Sequence, residues 1–84
     1  MKIISLEDAW DLLESLNHDA NQKTRDLWNS VNHQEAILQQ SAFFRNSFLN
    51  LDKDKQQAIC YWINDDEFRD YFKCLSGDDF ITSL

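Results

Sequence analysis

Residues 5–20 read SLEDAWDLLESLNHDA, and this stretch decides how the chain begins to fold. Apolar side chains recur there at helical spacing, at Leu6, Ala9, Trp10, Leu13, Leu16 and Ala20. This spacing predicts an amphipathic helix with one buried face. Ser5 stands just before the pattern and Asp8 stands three residues later, as in a capping box with Asp in place of Glu or Gln. We therefore expect the first helix to begin at Leu6.

The end of this first helix has two interpretations. The segment from Asn17 to Gln22 is the weakest part of the helical pattern, and Asp19 with Gln22 has the spacing of a second cap. We favour a break or kink near Asn17 to Asp19. The alternative is one long helix to Val31, because a seven-residue interval of mostly apolar positions continues through the segment.

Polar capping residues predict further helices in the rest of the chain. These caps lie at Asn32–Glu35, at Asp52 and at Asn64–Glu67. The helix that follows Asn32 runs to about Asn50 and carries few charges, so we expect it to be the central helix, shielded by its neighbours. Gly77 suits the left-handed position that often follows a helix. The apolar tail after it is expected to dock on the other helices.

The composition supports an all-α fold. The 84 residues include no Pro and a single Gly, so few residues interrupt the helical patterns. Six Phe, three Trp and two Tyr supply large side chains for a core. We expect one domain over residues 1–84, a compact bundle of four to six short helices joined by short turns. Whether the protein is a monomer or a dimer stays open.

The charge balance restricts the possible partners. Fifteen acidic residues against eight basic ones give a formal net charge of -7. Phosphates and anionic lipid surfaces attract basic proteins, so direct binding to nucleic acid or to a membrane is disfavoured. A basic protein would be attracted and would associate faster at low salt.

The sequence predicts a cytoplasmic protein. Only Ile3 and Ile4 separate Lys2 from the polar residues that follow, so we expect no signal peptide. No apolar run approaches the roughly 20 residues that span a bilayer. Cys60 and Cys74 match neither a redox pair nor a zinc spacing, and we expect buried, reduced, inert thiols.

An acidic stripe on the first helix is the main functional clue. Glu7, Asp11 and Glu14 share one face, with His18 closing the stripe and Trp10 beside it. Like charges at this spacing oppose helix formation slightly, and no Lys or Arg follows Asp11 or Glu14 at helical spacing. The alternatives are a solvated face and a binding surface for a basic partner. An aromatic side chain beside charges favours the binding surface.

A second acidic patch has a local explanation. Asp65, Asp66, Glu67 and Asp70 lie at the start of the last predicted helix, where the dipole stabilises acids. We expect Asp65 to pair with Arg69, four residues later. This patch is the second candidate for partner binding.

No catalytic pattern is present in the sequence. His18 and His33 lack partners at metal-binding spacing, and no glycine-rich segment could cradle phosphates. We therefore expect no enzyme activity, no metal and no cofactor.

The function that the sequence favours is inhibition of a basic protein. The chain is similar in size, acidity and helical class to bacterial immunity proteins that neutralise nuclease toxins, although no motif ties it to one family. One alternative is a helical adaptor or homo-oligomerisation module that uses apolar and aromatic contacts. A second alternative is a DNA mimic that inhibits a DNA-binding enzyme, but the nearly neutral segment from Ser30 to Leu51 argues against it.

Overall fold

A computed structural model describes residues 4–84, which contain five α-helices and no β-strand. The helices are α1 (Leu6–Thr24), α2 (Leu27–Ser30), α3 (His33–Leu49), α4 (Lys53–Trp62) and α5 (Asp66–Ser76), and a 3-10 helix spans Ile81–Ser83. The all-α bundle of short helices is confirmed. Its overall dimensions are 42 × 20 × 20 Å. Within these residues, no helix combines the length and the apolar character needed to cross a membrane.

Two of the predicted caps start their helices as expected. Ser5 Oγ accepts a hydrogen bond from the backbone N–H of Asp8 at 3.1 Å, and α1 begins at the next residue after Ser5. Asn32 Oδ1 accepts from the backbone N–H of Glu35 at 2.8 Å at the start of α3. Each cap satisfies one of the N–H groups that a helix leaves free in its first turn.

The ends of α5 differ from the prediction in detail. The cap is Asp65 rather than Asn64, and its Oδ1 accepts from the backbone N–H of Phe68 at 3.1 Å. After the helix, Gly77 has a positive φ of 90°, as its position suggested, but its ψ of 151° places it in an extended conformation rather than the left-handed helical one. Glycine is almost the only residue that adopts this region, because it has no Cβ.

The predicted break near Asn17 to Asp19 is wrong, because α1 continues to Thr24. Gln40 of α3 explains the difference, since its Nε2 donates to Oδ1 of Asn17 and to Oδ1 of Asn21. These side chains could have bonded to their own backbone and interrupted the helix. Tertiary contact with α3 engages them instead.

The break lies further along the chain, between α1 and the single turn of α2. Ala20 and Thr24 are both fully buried, and Thr24 Oγ1 donates to the carbonyl oxygen of Ala20 at 2.9 Å. The buried face therefore continues to the last residue of α1. Two helices precede Asn32, but they are separated at Arg25 and Asp26.

Helix α3 contacts α1, α2 and α5, so it shares the centre of the bundle with α1, but its neighbours do not shield its N-terminal half as expected. Helix α1 packs against α3, α4 and α5. It buries one continuous face made of Ala9, Leu13, Leu16, Ala20 and Thr24. In the N-terminal half of α3, by contrast, Ile37 is 46% and Leu38 63% exposed.

The aromatic contacts between α5 and α3 lie in the C-terminal half of α3. The Phe72 ring centroid lies 5.6 Å from that of Phe44 and 5.5 Å from that of Phe48. Phe80 of the tail stacks on Phe72 at 6.0 Å and also meets Phe48 edge to face. The tail therefore docks on the bundle, as expected, and Phe72 joins α3, α5 and the tail in one cluster.

We expect the Phe72→Ala substitution to lower the free energy of unfolding by about 3–5 kcal/mol, because it removes a fully buried ring and leaves a cavity. This loss is comparable to the whole stability of many small domains. Urea denaturation followed by circular dichroism measures it, and Phe72→Leu should keep more of the stability. Leu38→Ala, at an exposed site on α3, is the control and should change stability by less than about 0.5 kcal/mol. Equal losses for the Phe72→Ala and Leu38→Ala variants would contradict the assigned core.

Candidate functional site

The acidic stripe lies on the solvent side of α1. Glu7, Asp11, Glu14 and His18 are all exposed, since they lie opposite the face that packs on the other helices. Within residues 4–84, the only ion pair joins Arg69 and Asp66, so no described basic side chain neutralises the stripe. Its charge is thus presented to solvent.

Trp10 lies at the edge of this stripe but is largely engaged in packing. Its ring centroid is 5.3 Å from that of Phe68, edge to face, and 5.1 Å from that of Tyr71. Both partners belong to α5. Trp10 is therefore half-buried, and it fixes the position of α5 beside the acidic face of α1.

A groove with a volume of about 500 Å³ lies between α1 and the beginning of α4. It is lined by Ile4, Asp8, Asp11, Leu12, Asp52, Asp54, Lys55 and Ala58. Three of these residues are apolar and four carry carboxylates, and apolar atoms form most of the groove surface. Of the predicted stripe, only Asp11 lines the groove. Asp11 therefore connects the exposed stripe to the groove.

One hydrogen bond holds the N-terminal wall of the groove in place. The indole Nε1 of Trp62, at the end of α4, donates to the carbonyl oxygen of Ile4 at 2.9 Å. This bond ties the segment before α1 to α4. Ala58 is buried between the helices and offers only a methyl group, which leaves room above it.

The start of α4 brings two further carboxylates to the groove. Asp52 occupies the N-cap position, as predicted, but its side chain makes no capping hydrogen bond. It lines the groove instead, together with Asp54 of the first turn. Gln56 anchors this turn, because its Nε2 donates to the carbonyl oxygens of Phe48 and Leu49, both at 3.0 Å.

The second acidic patch is partly used by its own helix. Asp65 caps α5, and Arg69 Nη2 pairs with Asp66 Oδ1 at 2.7 Å. The predicted pair between Asp65 and Arg69 is therefore wrong, because Arg69 pairs with Asp66 instead. Glu67 and Asp70 are exposed on the same helix. Two of the four carboxylates thus have local structural roles.

The two cysteines are exposed, so the expectation that they are buried is wrong. Both are free thiols. Neighbouring protein atoms still shield the sulfur of Cys60 from water, and this desolvation raises the pKa of its thiol. A raised pKa leaves less thiolate at neutral pH and lowers reactivity. Among residues 4–84, no group of three or more His, Cys, Asp or Glu side chains is placed to hold a metal ion.

Comparison with known proteins adds no family to this description. No family model, no curated protein and no solved structure matches the chain. Any function of this protein must therefore be inferred from the geometry of α1 and α4.

Three of the four groove carboxylates were not predicted as site residues from the sequence. Asp8 and Asp52 have the spacing of capping residues, and Asp54 lies in a first helical turn, so each had a local explanation. These carboxylates lie close together because α1 and α4 cross, and hydrophobic periodicity along a helix does not predict that crossing. The one available signal was Leu12, an apolar residue that lies off the main buried face of α1 and next to Asp11.

We expect Trp62→Phe to lower the free energy of unfolding by about 1 kcal/mol, because it removes the donor that bonds the carbonyl of Ile4. The same substitution should raise amide hydrogen exchange in the first turn of α1. Trp28→Phe on α2 is the matched control, since Trp28 is partly exposed, packs on the ring of His33 and lies on a different helix from the groove. Unchanged exchange near the start of α1 in Trp62→Phe would contradict the anchoring role.

Proposed function

We propose that this protein binds and neutralises a basic protein partner, as immunity and antitoxin-type inhibitors do with a toxin such as a nuclease. The observation that carries the proposal is the continuous acidic surface formed by the stripe on α1 and the groove beside it. Glu7, Asp11 and Glu14 lie on the open face, and Asp8 with Asp54 extends the negative surface toward α4.

The physical basis of the proposal is charge complementarity. Exposed carboxylates that no described Lys or Arg neutralises attract a basic surface and raise the association rate. In this role the carboxylates of α1 take the place of phosphates in a cationic cleft. The partner's own activity is then blocked by occupation of that cleft, and the inhibitor needs no catalysis, metal or cofactor of its own.

The free cysteines support a cytoplasmic setting for this role. Cys60 and Cys74 are free thiols, which are typical of a reducing compartment.

The net charge of -7 disfavours direct contact with nucleic acid or an anionic membrane. A DNA-mimicking inhibitor is less well supported, since Glu35 and Arg45 are the only Asp, Glu, Lys or Arg residues of α3.

The Asp11→Lys/Glu14→Lys double variant tests the proposal. We expect it to associate with the partner about tenfold more slowly at low salt, because electrostatic steering is reversed. Partner captured from an extract of the encoding organism supplies the ligand, and stopped-flow or surface plasmon resonance gives the rate. For the native protein, the association rate should fall as salt increases.

A matched control separates the two acidic patches. The Glu67→Lys/Asp70→Lys double variant makes the same change in formal charge, from -7 to -3, because each reversal adds two units. Its association rate should fall much less if the face of α1 binds the partner. Equal slowing in both double variants would show a general charge effect, and association that ignores salt in the native protein would exclude the proposal.

A second candidate function is self-association through the α2–α3 surface. Trp28, Ile37 and Leu38 are exposed there, and the Trp28 ring packs 4.9 Å from that of His33. Exposed apolar side chains that lie together are typical of interfaces. Ile37 and Leu38 also belong to the nearly neutral segment from Ser30 to Leu51, where two acidic copies would repel least.

Sedimentation velocity at low and high salt tests this second candidate. An apolar dimer should persist at both salt concentrations, and Leu38→Lys should convert it to a monomer. Ser47→Lys, on the same helix, is a control that adds the same charge away from this apolar group. A native protein that sediments as a monomer at both salt concentrations would exclude self-association.

A further inference from the structure

The groove between α1 and α4 has an apolar floor and an acidic rim. Its floor is formed by Ile4, Leu12 and Ala58, which are apolar. Its volume of about 500 Å³ lies within the range of roughly 300–1,000 Å³ that is typical of ligand pockets. The space is therefore large enough to receive a side chain from another molecule.

The rim of the groove is strongly acidic. Asp8 and Asp11 of α1 face Asp52 and Asp54 at the start of α4, and Lys55 is the one base among the lining residues. Four carboxylates and one ammonium group give the lining a formal charge of -3. An acidic or a purely apolar ligand would leave these charges uncompensated, whereas a ligand with Lys or Arg beside an apolar group would satisfy both floor and rim.

We propose that this groove receives one large apolar side chain from a basic segment of the partner, with Lys or Arg residues on either side of it contacting the rim carboxylates. The inference rests on the proposed function and makes it more specific. It identifies the recognised element as a short segment with an apolar anchor, rather than a broad cationic surface.

The apolar anchor explains how such a complex would gain affinity as well as a high association rate. Exposed charge pairs mainly raise the association rate and contribute little to stability. A buried apolar side chain in a central pocket, surrounded by polar contacts that exclude water, is the arrangement found at binding hot spots. The acidic rim would thus guide the segment, and the floor would slow its dissociation.

Three short synthetic peptides of equal length test the inference. The first is lysine-rich with one central leucine, the second has glycine in place of that leucine, and the third has glutamates in place of the lysines. Fluorescence anisotropy of labelled peptides with the full chain gives the dissociation constants. We expect the leucine peptide to bind about tenfold more tightly than the glycine peptide, because burial of a Leu side chain contributes that much.

Amide chemical shifts locate the binding. The shifts that differ between the leucine and glycine peptides should fall at Leu12, Lys55 and Ala58. Leucine-dependent shifts at Leu38 instead would place the apolar contact on the α2–α3 surface and overturn the inference. Amide shifts of the groove residues that change with protein concentration in the absence of peptide would identify a second copy of the chain as the occupant. This result would also overturn the inference.

Two variants separate the floor from the rim. Ala58→Leu should fill the groove and abolish the difference between the leucine and glycine peptides. Asp8→Asn/Asp54→Asn should weaken the binding of both peptides and leave the ratio of their dissociation constants unchanged. If Ala58→Leu fails to fold by circular dichroism, Leu12→Ala replaces it and should reduce the ratio, since it removes part of the floor.

The outcomes distinguish the inference from the proposed function. If the leucine and glycine peptides bind with equal affinity, and both bind more tightly than the glutamate peptide, the proposed apolar anchor would be overturned and charge recognition would stand. Lysine-rich peptides that bind no better than the glutamate peptide would count against the proposed function itself, because the acidic face would then lack selectivity for basic ligands.

Discussion

The structure depends on the unbroken face that α1 buries over its whole length. Ala9 and Thr24 are fully buried toward its two ends, and Leu13, Leu16 and Ala20 lie between them. Three helices pack around α1, so their positions follow from this one element. The opposite face is continuous as well, and its residues Glu7, Asp11, Glu14 and His18 are all exposed. The same constraint that organises the core therefore creates an uninterrupted surface on which the acidic stripe lies.

The acidic residues of the chain fall into two groups by their surroundings. Asp65 and Asp66 are engaged by the start of α5, through a cap and an ion pair. Asp11 and Asp52 are not engaged in this way by the described residues, although Asp52 occupies a cap position. The crossing of α1 and α4 brings these two together with Asp8 and Asp54 around an apolar floor. The groove is consequently a product of helix packing rather than of any single helix.

Aromatic packing determines which surfaces stay open. Phe72 gathers Phe44, Phe48 and Phe80 at one end of α3, and the cluster covers only that half of the helix. The apolar pattern of α3 nevertheless continues toward its N-terminus, so Ile37 remains exposed on the same side as Phe44. Apolar periodicity reports which face of a helix is suited to burial. It does not report how far along that face a neighbour reaches.

The sequence by itself determined the all-α class, the caps at Ser5 and Asn32, and the exposure of Glu7, Asp11 and Glu14. Each of these follows from local spacing, since helical periodicity and capping involve residues within a few positions of one another. Tertiary structure alone decided that α1 continues past Asn17, because Gln40 of α3 engages side chains that favour a break. It also decided that the four groove carboxylates meet, because two of them come from α1 and two from the start of α4. Contacts between residues far apart in the chain depend on how helices cross, and the spacing within a helix does not encode that angle.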